Sequence, residues 1–132
     1  HAPHSNEENA KGISGVTGLD TYGGFLTWLM HEHKVDAKIL ATMCAENPGV
    51  FVNEFIPSLR SRVPELINKC LPIGFIRKGY AANFSVLSLN RPITIKAEDI
   101  KSKSRNNPFI GKRFPGSVAA VFVYGKLLSN SL

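Results

Sequence analysis

His1-Ala2-Pro3-His4 opens the chain, and after a polar loop comes Gly15-Val16-Thr17-Gly18-Leu19-Asp20-Thr21, a glycine-bracketed turn that leads into a helix. Pro3 fixes its own φ and biases Ala2 towards an extended conformation, which predicts a stiff strand end over residues 1–4. Such a strand end can aim an imidazole at a ligand, on a loop carried by a rigid scaffold. A surface histidine at a chain start is more often incidental, and two histidines alone do not make a metal site. Ser5 to Ser14 is rich in Asn and Glu and contains Gly12, so it reads as a loop, with Glu7 and Glu8 either solvated or steering a cation. Between Gly15 and Gly18, backbone N–H groups can face a ligand because glycine tolerates φ > 0 and close approach. A plain helix-entry turn accounts for the same pattern.

Working outward, Leu19, Tyr22, Phe25, Leu26, Leu29 and Met30 have the spacing of one helical face, which predicts an amphipathic helix ending near His33. Gly23-Gly24 inside it weakens the helix and points to close packing against a neighbour. His31 and His33 suit the negative pole of its dipole better than a metal. Asp36 is placed to cap a second helix, with Val35 and Leu40 at hydrophobic-staple spacing and an apolar face of Ile39, Leu40, Met43 and Cys44. Asn47-Pro48 predicts a fresh helix start, followed by Val50, Phe51 and Phe55 as a short packed turn. Val63, Leu66, Ile67 and Cys70 have the spacing of a further helix after Pro64.

Beyond Gly74 the period moves towards two. Strands are predicted within 82–89, at Ile93-Thr94-Ile95, over Val118 to Tyr124 and, past Gly125, at Leu127-Leu128. Ala97 to Ser104 is predicted as a short helix or turn, and Arg105 to Gly116 as an irregular loop.

At 132 residues the chain is long enough for one ordinary domain but short of a complete eight-stranded α/β barrel of roughly 250 residues. No apolar run approaches the ~20 residues needed to span a membrane, and the start lacks the basic and apolar segments of a signal peptide. The expectation is a soluble, cytoplasmic protein with no membrane partner. The net charge of +6 raises nucleic acid as a partner. The charges scatter, however, through Arg60, Arg62, Arg77, Lys78 and Lys96, without interleaved aromatics, so a solvated basic face with no nucleic-acid role is expected. Only Lys101 to Arg113 is dense enough to attract a phosphate or an acidic surface. Cys44 and Cys70 are expected as buried free thiols.

One ordered series runs through nearly the whole chain: His1-Ala2-Pro3-His4, the Glu7-Glu8 loop, Gly15 to Thr21, Glu46-Asn47-Pro48, and Gly74-Phe75-Ile76-Arg77-Lys78-Gly79-Tyr80-Ala81-Ala82-Asn83-Phe84. It ends with Leu89-Asn90-Arg91-Pro92 and Asn107-Pro108-Phe109-Ile110-Gly111. This order resembles that of dihydroorotases in the amidohydrolase superfamily. His4 favours them over hydantoinases and allantoinases, which usually lack the second histidine of the opening motif. Where the family usually has Asp, this chain has Asn83, an amide that keeps hydrogen-bonding capacity but loses the charge. The 57–72 connection is also longer than usual in the family.

The resemblance implies an α/β fold. Residues 1–73 would be the end of a TIM barrel, with its active-site loop and closing helices, and 74–132 strands of a small accessory β-sandwich. It implies interconversion of N-carbamoyl-L-aspartate and dihydroorotate in pyrimidine biosynthesis, with zinc bound by upstream residues. The catalytic Asp would directly precede His1, so no catalytic or metal residue is expected within the chain. The implied substrate-binding residues are His4, holding the substrate carboxylate, and Ser14 and Gly15, orienting the ring through main-chain atoms. His1 has no direct role assigned. Implied partners are the small-molecule substrate and the upstream barrel segment, with a homo-oligomer or a carbamoyltransferase also open. Two further classes stand beside this one: a non-catalytic dihydroorotase-like protein acting in assembly with a carbamoyltransferase, and a basic module that binds polyanions.

Overall fold

The computed structural model describes residues 17–63, 71–103 and 107–130. Helix and strand are mixed. A 3₁₀ turn (Leu19–Thr21) runs into α1 (Tyr22–Glu32), and then come α2 (Ala37–Ala41), a π-helical turn (Thr42–Glu46) and α3 (Asn47–Arg62). The strands are β1 (Phe84–Ser88), β2 (Ile93–Thr94), β3 (Arg113–Phe114), β4 (Ser117–Val123) and β5 (Lys126–Asn130), with a 3₁₀ turn at Ala97–Asp99. The chain clusters into two compact units, one formed by residues up to His33 with Leu87–Ser117, the other by Lys34–Val86 with Val118 onward. Each unit draws chain from both sides of residue 74.

In the first unit Ile95, Ile100 and Phe114 form the core, with Phe25, Trp28 and Phe109 packed against it. Phe25 meets Trp28 at 5.5 Å and Phe109 at 5.4 Å between ring centroids, and Phe109 meets Phe114 at 5.5 Å. The helix spans the expected residues, and Phe25, Leu26, Leu29 and Met30 of its expected face are half-buried, but the most deeply buried positions are others. Leu19 is 88% exposed and Tyr22 48%, whereas Thr21, Gly24 and Thr27 are buried. The reason is how closely the helix approaches its neighbour. A Cβ on Gly24 would lie 2.6 Å from Phe114 Cδ2, so only the bare backbone fits beneath that ring. Thr27 Oγ1 donates to the Gly24 carbonyl at 2.7 Å and accepts from the Gly116 N–H at 3.1 Å, which satisfies a buried hydroxyl on both sides. A packed region expected as irregular loop supplies the other half of this contact. β3 pairs antiparallel with β2, Phe114 opposite Ile93 and Arg113 opposite Thr94.

In the second unit Asp36 caps α2 as expected, its Oδ1 accepting from the Lys38 N–H at 2.7 Å, and Leu40 is buried. α3 begins at Asn47 with Pro48 in its first turn, as expected, but Asn47 is not its cap and no break precedes it. Asn47 has helical φ and ψ, its N–H reaches the Thr42 carbonyl five residues back, and the helical path continues to Arg62. Pro48 lies in the first turn of α3, directly after the π turn. Thr42 Oγ1 donates to Glu46 Oε2 across that turn at 2.8 Å. The expected packed cluster is also corrected: Val50, Phe51 and Phe55 are 50%, 63% and 50% exposed. Phe51 and Phe55, four apart, meet edge to face at 5.1 Å.

The packed face of α3 instead carries Gly49, Asn53 and Ile56, at helical spacing. Asn53 makes two hydrogen bonds with the main chain of Ile73, and a Cβ on Gly49 would lie 2.7 Å from Gly74 Cα. Gly74 has φ +91°, a conformation that favours glycine.

β1, β4 and β5 form a three-stranded sheet in the order β1-β4-β5. The β4–β5 pair is an antiparallel hairpin with Val123 opposite Lys126 and a register irregularity between Val121 and Phe122. Tyr124 (φ 49°) and Gly125 (φ 75°) are both left-handed, as a two-residue type I′ turn requires. Asn83 Oδ1 accepts from the Tyr124 N–H at 2.8 Å, and Ala82 O accepts from the Gly125 N–H at 3.0 Å. The amide at 83 thus keeps an acceptor role that a carboxylate would also fill. Phe84 stacks on Phe122 at 4.7 Å.

Candidate functional site

The described part of the site begins at Thr17, and His1, His4, Ser14 and Gly15 lie outside the described residues. Gly18 is right-handed (φ −103°, ψ −17°), and a Cβ on it would meet nothing within 4 Å. Neither a positive φ nor close approach requires glycine at that end of the bracket. The Gly18 carbonyl accepts from the Thr21 N–H at 3.2 Å and from Thr21 Oγ1 at 3.3 Å, closing the 3₁₀ turn that feeds α1.

Two side-chain clamps hold this turn to chain more than eighty residues later. Asp20 accepts from the Lys101 N–H at 3.1 Å, from the Ser102 N–H at 3.2 Å and from Ser102 Oγ at 2.5 Å. The Ser102 hydroxyl, helped by the two N–H groups and opposed by slight burial, holds the Asp20 carboxyl below its ordinary range. Asn107, which is buried, donates through Nδ2 to the Thr17 carbonyl at 2.7 Å and, more loosely, to Thr21 Oγ1 at 3.4 Å. Its Oδ1 accepts from the Phe109 N–H at 2.9 Å, the turn that an Asn before Pro commonly makes with the residue two on. Sequence reasoning quoted Asn107-Pro108 only as a motif in a loop. The Asn-Pro pair was the available signal for a local turn, but nothing in the sequence pointed to its contact with Thr17.

Among the described residues, no three of His, Cys, Asp and Glu come together as a metal site. His31 Nδ1 lies 2.9 Å from Glu32 Oε1, both exposed, and the His33 ring stands edge-on to Trp28 at 4.5 Å. Cys44 is half-buried and in no disulfide, while Cys70 lies outside the described residues. Lys101, Lys103, Lys112 and Arg113 are exposed, with Lys112 Nζ 5.5 Å from the Phe109 ring centroid. A separate open hollow in the second unit, of about 230 Å³, is lined by Phe75 to Phe84, with the Arg77 guanidinium 5.0 Å from the Phe75 ring centroid. No described helix is long and apolar enough to cross a membrane.

No protein-family model matches the chain. Individual proteins do. The chain is 31% identical over 130 residues to the dihydroorotase of Anaplasma phagocytophilum (strain HZ), covering 96% of this chain and 25% of that protein. It is 30% identical over 128 residues to the dihydroorotase of Clostridium botulinum (strain Eklund 17B / Type B), covering 96% and 28% respectively. An allantoinase of Desulfitobacterium hafniense (strain Y51) is 32% identical over 121 residues, 91% of this chain and 23% of its own length. The chain thus spans about a quarter of the length of the curated relatives it matches. Over nearly its whole length, then, this chain is similar to dihydroorotases, as their C-terminal portion.

Proposed function

We propose that the chain is the C-terminal portion of a zinc-dependent dihydroorotase of pyrimidine biosynthesis, acting in the cytoplasm, with the metal ligands and the catalytic Asp supplied upstream of His1. Residues 1–73 are then the end of a TIM barrel and 74–132 strands of its accessory β-sandwich. The observation that carries this reading is about 30% identity to dihydroorotases along 96% of the chain. The ordered motifs from His1-Ala2-Pro3-His4 to Asn107-Pro108 support it.

The reaction adds water across one ring amide of dihydroorotate, breaking a C–N bond to give N-carbamoyl-L-aspartate. This chain contributes the substrate side. His4 holds the substrate carboxylate by charge or hydrogen bond. Main-chain groups of Ser14 and Gly15 orient the ring, so that the scissile carbonyl is presented in a reactive geometry.

The test compares the protein as the cell makes it with the purified 132-residue chain, each supplied with zinc and assayed on dihydroorotate. Turnover by the first and none by the second is expected. Hydrolysis by the short chain alone would overturn the assignment of the catalytic groups to an upstream segment. Absence of turnover by the complete protein, with retention of a carbamoyltransferase on copurification, would replace catalysis with assembly. Allantoin is the second substrate to assay, because of the allantoinase match, and a preference for it would move the substrate assignment.

A further inference from the structure

We propose that the hollow of the second unit lined by Phe75, Tyr80 and Phe84, with Arg77 and Lys78 among its walls, is a binding site for a nucleoside monophosphate. The aromatic corner takes the base and the two cations take the phosphate. The inference goes beyond the dihydroorotase reading and does not depend on it.

The hollow is open and measures about 230 Å³. That is room for one ring system, since pockets for drug-sized molecules begin at roughly 300 Å³. Phe75 and Tyr80, both half-buried, form a corner, with their planes at 78° and their centroids 5.7 Å apart. A planar guest seated there stacks on one ring and meets the edge of the other, and aromatic pairs favour both arrangements. Phe84 adds a further wall, backed by Phe122 stacked on it at 4.7 Å.

Charge selects among planar guests. Arg77 and Lys78 are exposed, and no Asp or Glu stands among the described lining residues. Asn83 also lines the hollow, and its amide sets no charge against an anion. The Arg77 guanidinium lies 5.0 Å from the Phe75 ring centroid, within cation–π range, which keeps the positive group beside the aromatic corner. An arginine and a lysine on successive residues suit a phosphate dianion better than a carboxylate. The planar fork can bond two phosphate oxygens at once, and the ammonium adds a point charge.

Main-chain bonds hold these walls in shape. The Tyr80 N–H donates to the Arg77 carbonyl at 3.1 Å and the Ala81 N–H to the Pro72 carbonyl at 2.8 Å, while the Ala82 carbonyl accepts from the Gly125 N–H at 3.0 Å. Gly79, at φ +88°, makes the turn between the two cations and Tyr80. A site already shaped in this way loses less freedom when it binds.

The test is isothermal titration calorimetry on the protein as the cell makes it, with adenosine 5′-monophosphate, adenosine and inorganic phosphate as separate probes. The nucleotide is expected to bind about 10-fold more tightly than either part alone. Arg77→Ala, at an exposed position where folding is not at stake, should weaken the nucleotide about 10-fold and change adenosine less than about 3-fold. Phe75→Leu should weaken the nucleotide and adenosine alike, by about 10-fold, and leave phosphate as it was. Lys112→Ala removes the cation beside Phe109 in the other unit and should change none of the three. Absence of nucleotide binding, or equal affinity for nucleotide and phosphate, overturns the site. Equal weakening by Arg77→Ala and Lys112→Ala overturns it as well, because the cations then act as a general basic surface. So does nucleotide binding that Arg77→Ala leaves unchanged, since the ligand then sits elsewhere.

Discussion

Asn53 and Ile73 face each other as a two-bond pair: Asn53 Nδ2 donates to the Ile73 carbonyl at 3.0 Å, and Asn53 Oδ1 accepts from the Ile73 N–H at 2.9 Å. One amide thus satisfies both main-chain groups of a residue twenty positions away, at a point where Gly49 and Gly74 let the two backbones touch.

Removing that amide leaves a half-buried donor and acceptor unpaired. Asn53→Ala is expected to lower stability by about 1–3 kcal/mol. The urea midpoint reads this directly, and an unchanged midpoint would show that water replaces both bonds without loss.

The contact between Gly24 and Phe114 predicts a substitution that fails by excess volume. A methyl on Gly24 enters the space of a ring that is 2% exposed, so Gly24→Ala should cost about 1–3 kcal/mol despite alanine's better helix propensity. Phe114→Leu in the same molecule should recover part of the loss. A Gly24→Ala protein as stable as the parent, by thermal unfolding, would mean that the ring moves aside freely.

Asp20 gives the stability a defined acid dependence. Its folded-state pKa lies below the ordinary 3.8, because the carboxylate form accepts the Ser102 hydroxyl and the two N–H groups. A group depressed in this way contributes stability that is fully present above its unfolded pKa and is lost as pH falls through its folded value. The difference in urea midpoint between the parent and Asp20→Ala should therefore be constant above about pH 5 and shrink below 3.8. Because the carboxylate is exposed, the effect is small, and a difference that grows on acidification would contradict the assignment.

Local chemistry was legible wherever a short stretch decides its own conformation. Asp36 followed by an apolar pattern predicted its cap, and Gly125 between residues 118–124 and Leu127-Leu128 predicted the β4–β5 hairpin, although Tyr124 joins the turn instead of ending the strand. The glycine pair in α1 foretold a close approach, which Gly24 makes. The extent of α1 followed from its periodicity, within the precision that helix ends allow. Asn47-Pro48 marked the start of α3 but not its cap, because a π turn leads into it without a break. Val50, Phe51 and Phe55 misled for another reason: apolar character does not say which partner is near enough to cover it.

The amino-acid order by itself determined the kind of most elements, among them α1, α2, β1, β4 and β5, and the series of motifs that relates this chain to dihydroorotases. Those are properties of neighbours along the chain, set by φ preferences, side-chain period and capping groups. Only the tertiary structure decided that α1 buries Gly24 and Thr27 and the turn before it Thr21, that β3 forms within 105–116, and that Asn107 and Ser102 hold the Thr17–Thr21 turn. The contacts of Gly24, Thr27, Asp20 and Asn107 depend on a donor, an acceptor or a ring more than eighty residues away, and β3 on β2 about twenty residues earlier, each brought within a few ångströms by folding.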